Sequence, residues 1–309
     1  MERKALGGTG LMVSTIGFGA SGLGEAFGEI DGVEGTRAVA HAVECGINLF
    51  DVSPYYGNTL AETRLGEALV WRRDRVVLST KCGRYGVDTF DFSPGTITAG
   101  LEDSLRRLKT DHVDVLLAHD VEFGDLDRVI GETIPAMRAM QAAGKARFIG
   151  VSGYPLGALV RVMEAVELDV VLSYCRYNLL NTDMDVELSG KAAEAGVGLI
   201  NASPLHMGIL GGRLVPAWHP APAEIQAAGA LFAEVCGRYG VAPGAAALRF
   251  CTDYPEVATT LVGMASVEQV DENLAALTME VPDGLWGAVE EVLGPVRGRV
   301  WASGRVENQ

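Results

Sequence analysis

Residues 113–152 read VDVLLAHDVEFGDLDRVIGETIPAMRAMQAAGKARFIGVS, and their order of apolar and amphipathic segments is the strongest indication of the fold. Apolar runs at residues 113–119 and 147–152 flank an amphipathic segment at residues 125–143. Runs that are apolar along their whole length suit strands of a parallel sheet buried on both faces. Gly144 follows the amphipathic segment, at the position where glycine commonly ends a helix. The stretch therefore predicts a strand, a helix and a second strand in succession.

The same alternation recurs along the whole chain. Six further apolar runs are predicted strands: residues 15–19, 47–51, 76–81, 170–175, 197–203 and 259–263. Helical patterns separate many of them, for example at residues 35–44, 96–109 and 185–195. Eight strand–helix units favour a closed (β/α)8 TIM barrel over an open doubly wound sheet. Because the composition does not change along the chain, we predict a single domain over residues 1–309.

Two segments depart from the repeat. Residues 4–13 place Gly-Thr-Gly between apolar flanks and predict an N-terminal β-hairpin at one end of the barrel. The interval before the last predicted strand is longer than the others and begins with a proline-rich stretch at residues 214–222. This interval predicts a large loop and an extra helix, and we expect extra C-terminal helices outside the repeat.

Composition narrows the classes of function. The chain has 25 Lys and Arg against 40 Asp and Glu, a net charge of −15. This charge argues against nucleic acid and anionic membranes as partners, because both attract basic surfaces. The five cysteines stand singly, without a C-x-x-C pair, so we expect reduced thiols, a cytoplasmic location and no metal site. We predict a protein that handles small molecules, as a monomer or a small homo-oligomer.

Polar side chains stand where consecutive predicted strands end. Asp51, Lys81 and His119 end the second, third and fourth strands, and Tyr56 lies in the loop after the second. Barrel enzymes carry their chemistry at these ends. We expect Lys81 to lower the pKa of Tyr56 from about 10, Asp51 to fix Lys81, and neutral His119 to orient a substrate oxygen. Singly, each residue also suits a cap, a surface charge or a buried imidazole, and spacing alone does not choose Tyr56 over Tyr55.

Together with these residues, several motifs resemble the aldo-keto reductases. The resemblance covers nearly the whole chain, through residues 6–19, 46–57, 79–81, 114–119, 144–152 and 263–273. It implies a (β/α)8 barrel, an oxidoreductase with a nicotinamide cofactor, and Asp51, Tyr56, Lys81 and His119 as catalytic residues. The family's spacing of five from the aspartate selects Tyr56.

The resemblance also implies where the cofactor binds. It assigns contacts to strand ends and to the loops that follow them: Gly19, Ala20, Ser21, Ser152, Gly153, Tyr174, Ser203, Leu205, Gly208, Gly263, Ser266, Gln269, Glu272 and Asn273. Two positions depart from the wider family. Ala202 stands where many members place an aromatic residue against the nicotinamide, and Tyr174 stands where many have Gln.

Further motifs, at residues 119–123, 172–175, 202–208 and 216–222, resemble the branch of the family that oxidises L-galactose, L-fucose and D-threo-aldoses at C1 to lactones. The resemblance implies NAD(P)-dependent oxidation of an aldose, with L-galactose or L-fucose as the first choices. Tyr55, Trp218 and Trp301 are candidate sugar contacts, although packing between loops also explains the two tryptophans. Two alternatives stay open: a pyridoxal dehydrogenase, and a cofactor-binding regulatory subunit like those of potassium channels.

The segment after the last predicted strand favours NAD over NADP. The 2′-phosphate of NADP is bound by Lys or Arg, which the family's NADP-dependent members place at the positions of Gly263 and Gln269. The segment contains neither Lys nor Arg and adds Glu268 and Asp271. We therefore expect NAD, with its 2′-hydroxyl bonded to Ser266 or Gln269.

Overall fold

A two-stranded hairpin begins the chain in the computed structural model, which describes residues 1–212, 215 and 217–309. Strand β1 (Arg3–Ala5) pairs antiparallel with β2 (Met12–Ser14). Leu6 between them is fully buried and belongs to the same apolar cluster as the residues inside the barrel. A side chain at Gly7 would collide with the backbone of Gly198, at the start of a barrel strand. The hairpin therefore plugs the N-terminal end of the barrel, as predicted.

Eight parallel strands close into that barrel. They are β3 (Ile16–Gly19), β4 (Leu49–Asp51), β5 (Val77–Cys82), β6 (Val113–Ala118), β7 (Ala146–Gly153), β8 (Val170–Tyr174), β9 (Gly198–Ala202) and β10 (Thr259–Gly263). Each pairs with the next, and β10 closes the ring against β3, with Thr260 opposite Ile16. These are the eight predicted runs, with ends shifted by at most two residues. The TIM-barrel prediction is confirmed.

Alternation along the strands produces two apolar layers. On β6, Val115 and Leu117 belong to the cluster inside the barrel, whereas Leu116 packs with the helices outside. This alternation is what strand geometry requires, because successive side chains point to opposite faces. Both sets are fully buried, so apolar side chains occupy both faces of this strand.

Helices surround the strands. They are α1 (Gly32–Glu44), α2 (Leu60–Leu69), α3 (Pro94–Leu108), α4 (Leu126–Arg128), α5 (Ile134–Ala142), α6 (Leu156–Ala165), α7 (Gly190–Glu194), α8 (Ala223–Arg238), α9 (Pro243–Thr252), α10 (Val267–Ala276) and α11 (Leu285–Leu293). A π-helical turn, Val129–Thr133, joins α4 to α5, and another, Asp185–Ser189, precedes α7. No helix in the described part of the chain combines the length and apolarity needed to cross a membrane.

The C-terminal third adds helices outside the repeat, as predicted. Helix α8 lies in the long interval between β9 and β10, and α11 follows the last barrel helix. The two helices pack on each other around a separate apolar cluster that includes Phe232, Leu285 and Val289. Part of the proline-rich stretch that was predicted to form a loop lies outside the described residues.

Candidate active site

Four polar side chains meet at the C-terminal end of the barrel. Asp51 ends β4, Lys81 lies near the end of β5, His119 follows β6, and Tyr56 lies in the loop after β4. Lys81 forms an ion pair with Asp51 and donates a hydrogen bond to Tyr56 Oη at 3.2 Å. The rings of Tyr56 and His119 stand perpendicular, with centroids 5.8 Å apart. The structure thus brings together the four residues that the sequence singled out.

The Lys81 ammonium is fixed from three sides. Besides Asp51 and Tyr56, the Val52 carbonyl accepts a hydrogen bond from its Nζ at 3.0 Å. Asp51 is itself fixed, because its Oδ2 accepts a hydrogen bond from Ser79 Oγ at 2.8 Å. Burial lowers the pKa of Lys81, but Asp51 and Tyr56 outweigh burial and hold that pKa above its ordinary value. Lys81 is therefore a permanent positive charge beside the phenol.

The pKa of Tyr56 is shifted in the opposite direction to the prediction. Burial raises the pKa of Tyr56, and the Lys81 ammonium lowers it, as expected, but by less. The net pKa of Tyr56 lies above its ordinary value, because a tyrosinate loses more hydration inside the protein than this one ammonium restores. Tyr56 therefore keeps its proton at neutral pH.

His119 is held as a neutral imidazole with a defined tautomer. Its Nδ1 lies 2.9 Å from Ser53 Oγ, and Ser53 Oγ accepts the Tyr55 backbone N–H at 3.1 Å. Because Ser53 is fully buried, its hydroxyl proton is satisfied by donation to Nδ1, which leaves the imidazole proton on Nε2. Burial, followed by the charges of Lys81 and Arg84, places the pKa of His119 well below its ordinary value. His119 is thus the neutral donor that the sequence predicted.

Three residues of this site, Ser53, Arg84 and Asp120, were missed by the sequence reasoning. Ser53 lies two positions after Asp51, which ends β4, so the sequence could have placed Ser53 at the same rim. Asp120 directly follows His119 and forms a buried ion pair with Arg84, from the loop after β5. The Arg84 guanidinium lies 3.8 Å from the centroid of the Tyr55 ring. Nothing local in the sequence pairs residues 84 and 120, because the contact exists only once β5 and β6 are neighbours.

Two of the three predicted sugar-contacting aromatic residues, Trp218 and Trp301, are part of a continuous series of rings. Trp301 stacks on Tyr154 at 4.4 Å with an interplanar angle of 11°, and Tyr154 lies 5.5 Å from Tyr174. In the other direction, neighbouring rings are 5.7 to 6.0 Å apart, running from Trp301 through His219 and Trp218 to Phe27. The two predicted tryptophans are thus linked through one histidine, and Trp218 is 53% exposed.

The C-terminal segment docks on the loop that follows β6. Ser303 Oγ and the Tyr154 backbone N–H both donate to Glu122 Oε1, at 3.0 and 3.2 Å. Asn308 Nδ2 donates to the backbone oxygens of Glu122 and Gly124, each at 2.8 Å. Burial, with a smaller contribution from Asp120, raises the pKa of Glu122 to about 8. These contacts anchor the segment that positions Trp301 against Tyr154.

The positions predicted to contact the cofactor lie at the same end of the barrel. Gly19, Gly153, Tyr174 and Gly263 end strands β3, β7, β8 and β10, while Ser152 lies one residue before the end of β7. The loops and α10 supply the others: Ala20, Ser21, Ser203, Leu205, Gly208, Ser266, Gln269, Glu272 and Asn273.

Several of these positions fit a polar ligand. A side chain at Gly263 would meet no atom within 4 Å, and Gly208 has a φ of +109°, which strongly favours glycine. Ser152 Oγ makes only long hydrogen bonds, of 3.4 Å. The buried His206 Nε2, in the loop after β9, has no hydrogen-bond partner among the described residues. The site therefore has open space and an unused donor in the loops expected to hold a dinucleotide.

The start of α10 is occupied by acceptors. Gln269 Oε1 accepts the Ala265 N–H at 2.7 Å, and Ser266 Oγ accepts the Gln269 N–H at 3.3 Å. Glu34, from α1, accepts the Val267 N–H at 2.9 Å. Ser266 and Gln269, which were expected to bond a 2′-hydroxyl, are thus already engaged in the helix cap.

Comparison with known proteins identifies the family. The model of the aldo/keto reductase family matches residues 15–293. The chain is an aldo-keto reductase. This aldo-keto reductase is 42% identical to L-galactose dehydrogenase of Arabidopsis thaliana, over 100% of this chain and 99% of that protein. It is 30% identical to D-threo-aldose 1-dehydrogenase of Pseudomonas sp., over 93% of this chain and 96% of that protein.

A solved structure agrees with the fold of this aldo-keto reductase. An aldo-keto reductase of Bacillus halodurans in its holo form superposes with a TM-score of 0.78 at 26% identity, with 99% of each chain covered. The family predicted from the sequence is confirmed. The protein is therefore an oxidoreductase of a family that uses nicotinamide cofactors.

Proposed function

We propose that this aldo-keto reductase oxidises an aldose at C1 to the sugar lactone, with L-galactose, or its 6-deoxy form L-fucose, as substrate. The observation that carries the proposal is the 42% identity to L-galactose dehydrogenase over the full chain. The assembly of Asp51, Tyr56, Lys81 and His119 in one cluster supports a reaction that moves a proton while a hydride is transferred.

In the proposed mechanism, His119 and Tyr56 hold the C1 hydroxyl of the pyranose. His119 Nε2–H donates to O1. Tyr56 first releases its phenolic proton to solvent, and the tyrosinate that results takes the proton of O1. A bound nicotinamide would supply the hydride acceptor, and loss of the C1–H and O1–H bonds would leave the carbonyl of the lactone. Lys81 stabilises the tyrosinate against the cost of its burial, and Asp51 holds Lys81 in place.

The same proposal includes residues that hold the dinucleotide. Ser152 and Gly153 are the proposed carboxamide contacts. Ser203, Leu205 and Gly208 are the proposed contacts of the pyrophosphate. The adenosine half is proposed to lie against Gly263 and α10, with the amide NH2 group of Gln269 as the donor left for a ligand by the helix cap.

We propose NAD over NADP as the cofactor. The carboxylates of Glu34 and Glu268 lie at the start of α10, where a 2′-phosphate would approach. Arg37 is the cation beside them, and it is already paired with Glu34 at 3.0 Å. A phosphate dianion placed here would lie beside two carboxylates, and the one arginine nearby already forms an ion pair with Glu34. This arrangement is electrostatically unfavourable.

Initial rates with NAD+ and with NADP+ test both parts of the proposal. The panel is L-galactose, L-fucose, D-arabinose and pyridoxal. We expect the highest kcat/KM for L-galactose or L-fucose with NAD+. A higher kcat/KM for pyridoxal than for any sugar would overturn the aldose proposal and favour a pyridoxal dehydrogenase. Tight binding of NAD(H) with no oxidation of any compound would indicate a regulatory subunit, and a preference for NADP+ would overturn the cofactor proposal.

A further inference from the structure

A buried ion pair beside the proposed catalytic residues makes no contact with the substrate in the mechanism above. Arg84 donates from Nη1 to Asp120, and the two side chains are 15% and 3% exposed. Burying two charges is costly, and apolar side chains of similar volume often stabilise a fold as well or better. Packing alone therefore does not explain a charged pair at the rim of this site.

Asp120 lies next to the place where the reacting oxygen binds. Its Oδ2 is 3.7 Å from His119 Nε2, the nitrogen that carries the imidazole proton. The backbone of Asp120 is left-handed, with a φ of 53°, a conformation that is uncommon for a residue other than glycine and concentrates at functional sites. Any substrate oxygen that accepts from His119 Nε2 therefore has the Asp120 carboxylate beside it.

Arg84 and its surroundings fix this carboxylate. The guanidinium stacks over Tyr55 at 3.8 Å and lies 5.1 Å and 5.6 Å from the rings of Phe90 and Phe123. Aromatic surfaces hold a planar guanidinium in one orientation. Arg84 bonds to Oδ2 of Asp120, and no hydrogen bond from a described residue reaches Oδ1. Asp120 is thus rigid and still has acceptor capacity.

The chemistry of an aldose matches this acceptor. O1 of a pyranose has two neighbouring oxygens, the ring oxygen and the C2 hydroxyl. The ring oxygen carries no hydrogen and cannot donate to a carboxylate, whereas the C2 hydroxyl can. We propose that Asp120 accepts a hydrogen bond from the hydroxyl on the carbon next to the reacting carbon, with Arg84 as its positioning residue. This rests on the proposed function, and it makes the site selective for α-hydroxy aldehydes, aldoses included, over simple aldehydes.

Two substrate pairs that differ only in this hydroxyl test the proposal. The first is L-galactose against 2-deoxy-L-galactose, oxidised with NAD+. The second is lactaldehyde against propanal, reduced with NADH. For each pair, we take the kcat/KM of the substrate that carries the hydroxyl divided by that of the substrate that lacks it. This ratio is compared between the wild type and Asp120→Ala. We expect the ratio to fall about 10- to 100-fold in the variant, the effect of one hydrogen bond to a charged group. Asp127→Ala is the matched control, because it removes an exposed carboxylate from its pair with Arg161, 2.6 Å away, and it should leave both ratios unchanged.

The comparison separates recognition from a structural effect. Asp120→Asn keeps the shape and a weaker, neutral acceptor, so we expect a smaller fall in the same direction, and it serves if the alanine variant does not fold. Equal losses on both members of a pair leave the ratio unchanged and would overturn the inference. If the wild type oxidises no aldose, the proposed function fails, and the lactaldehyde pair still decides the role of Asp120. If L-galactose is oxidised but both ratios stay constant, the proposed function stands and this inference falls.

Discussion

The phenol of Tyr56 is held between two opposing influences. Burial favours its neutral form, and the Lys81 ammonium, 3.2 Å from Oη, favours the tyrosinate. Since burial has the larger effect, the phenol holds its proton until a reaction demands it. A group that both donates and accepts a proton in one site needs this kind of balance.

Removing the phenol hydroxyl tests this assignment. Tyr56→Phe keeps the ring but removes the acid and base, so we expect kcat to fall at least about 100-fold, since general acid–base catalysis contributes about 10² to 10⁴. The dissociation constant of NADH, measured by fluorescence titration, should stay within about twofold, because the ring and its packing are retained. Tyr55→Phe, which changes the neighbouring ring, should cost far less. If Tyr56→Phe retained more than a few per cent of kcat, Tyr56 would not be the acid and base.

At the scale of elements, α10 and its contacts with α1 form the proposed cofactor platform. Glu34 caps the start of α10, and His41 Nε2 lies 2.6 Å from Asp271 one turn further along. Two contacts along one helix–helix interface hold α10 in register against α1. The acidic character of this platform is therefore built into the packing of both helices.

A single added cation on α10 should change the cofactor preference. Gln269→Arg places a guanidinium where NADP-dependent relatives carry one, and we expect the NADP+ to NAD+ ratio of kcat/KM to rise about 10- to 100-fold, the effect of one charge-assisted hydrogen bond. Gln269→Leu loses the same cap bond to Ala265, and the proposed amide donor, without adding charge, so its ratio should rise far less than that of the arginine variant. An unchanged ratio in the arginine variant would show that the 2′ position lies elsewhere.

The strands were predictable and several contacts were not, for a physical reason. A run such as residues 113–119 is apolar because both faces of β6 are buried, and this property is local and visible in sequence. The four candidate catalytic residues were found because three of them lie at or beside strand ends and Tyr56 lies in the loop after one of these strands, so that all four share one rim. The Arg84–Asp120 pair and the Ser303–Glu122 contact join segments that only the folded barrel makes adjacent. The net pKa of Tyr56 escaped prediction because it depends on the depth of burial.

For the molecule as a whole, the carboxyl of Glu122 links the C-terminal segment to the barrel. Its folded pKa of about 8 lies above the ordinary value of a glutamate, so the folded state binds a proton that the unfolded state has released. This contribution to stability is complete below the ordinary pKa and is lost as the pH rises towards about 8. The free energy of unfolding should therefore decline with pH by up to about 1.4 kcal/mol per pH unit from this group.

Glu122→Gln removes this titration. The amide keeps an acceptor for Ser303 and Tyr154 and carries no charge, so the variant should lose the declining contribution and exceed the wild type in stability at pH 8. Urea unfolding at intervals between pH 5 and 9 measures the difference between the two proteins. Glu280→Gln, at an exposed position, controls for the loss of one negative charge. A difference between wild type and Glu122→Gln that does not vary with pH would contradict the prediction.

The closure of the barrel by β10 against β3 also constrains how the chain folds. Thr260 and Ile16 are partners in one ladder, yet almost the entire barrel sequence lies between them. Until β10 docks, β3 presents an open row of backbone donors and acceptors, and such an edge invites pairing with other chains. Parallel pairing over so great a sequence separation carries a high loop-closure entropy and is intrinsically slow. The joint between these two strands is thus where the folding chain is most exposed to aggregation.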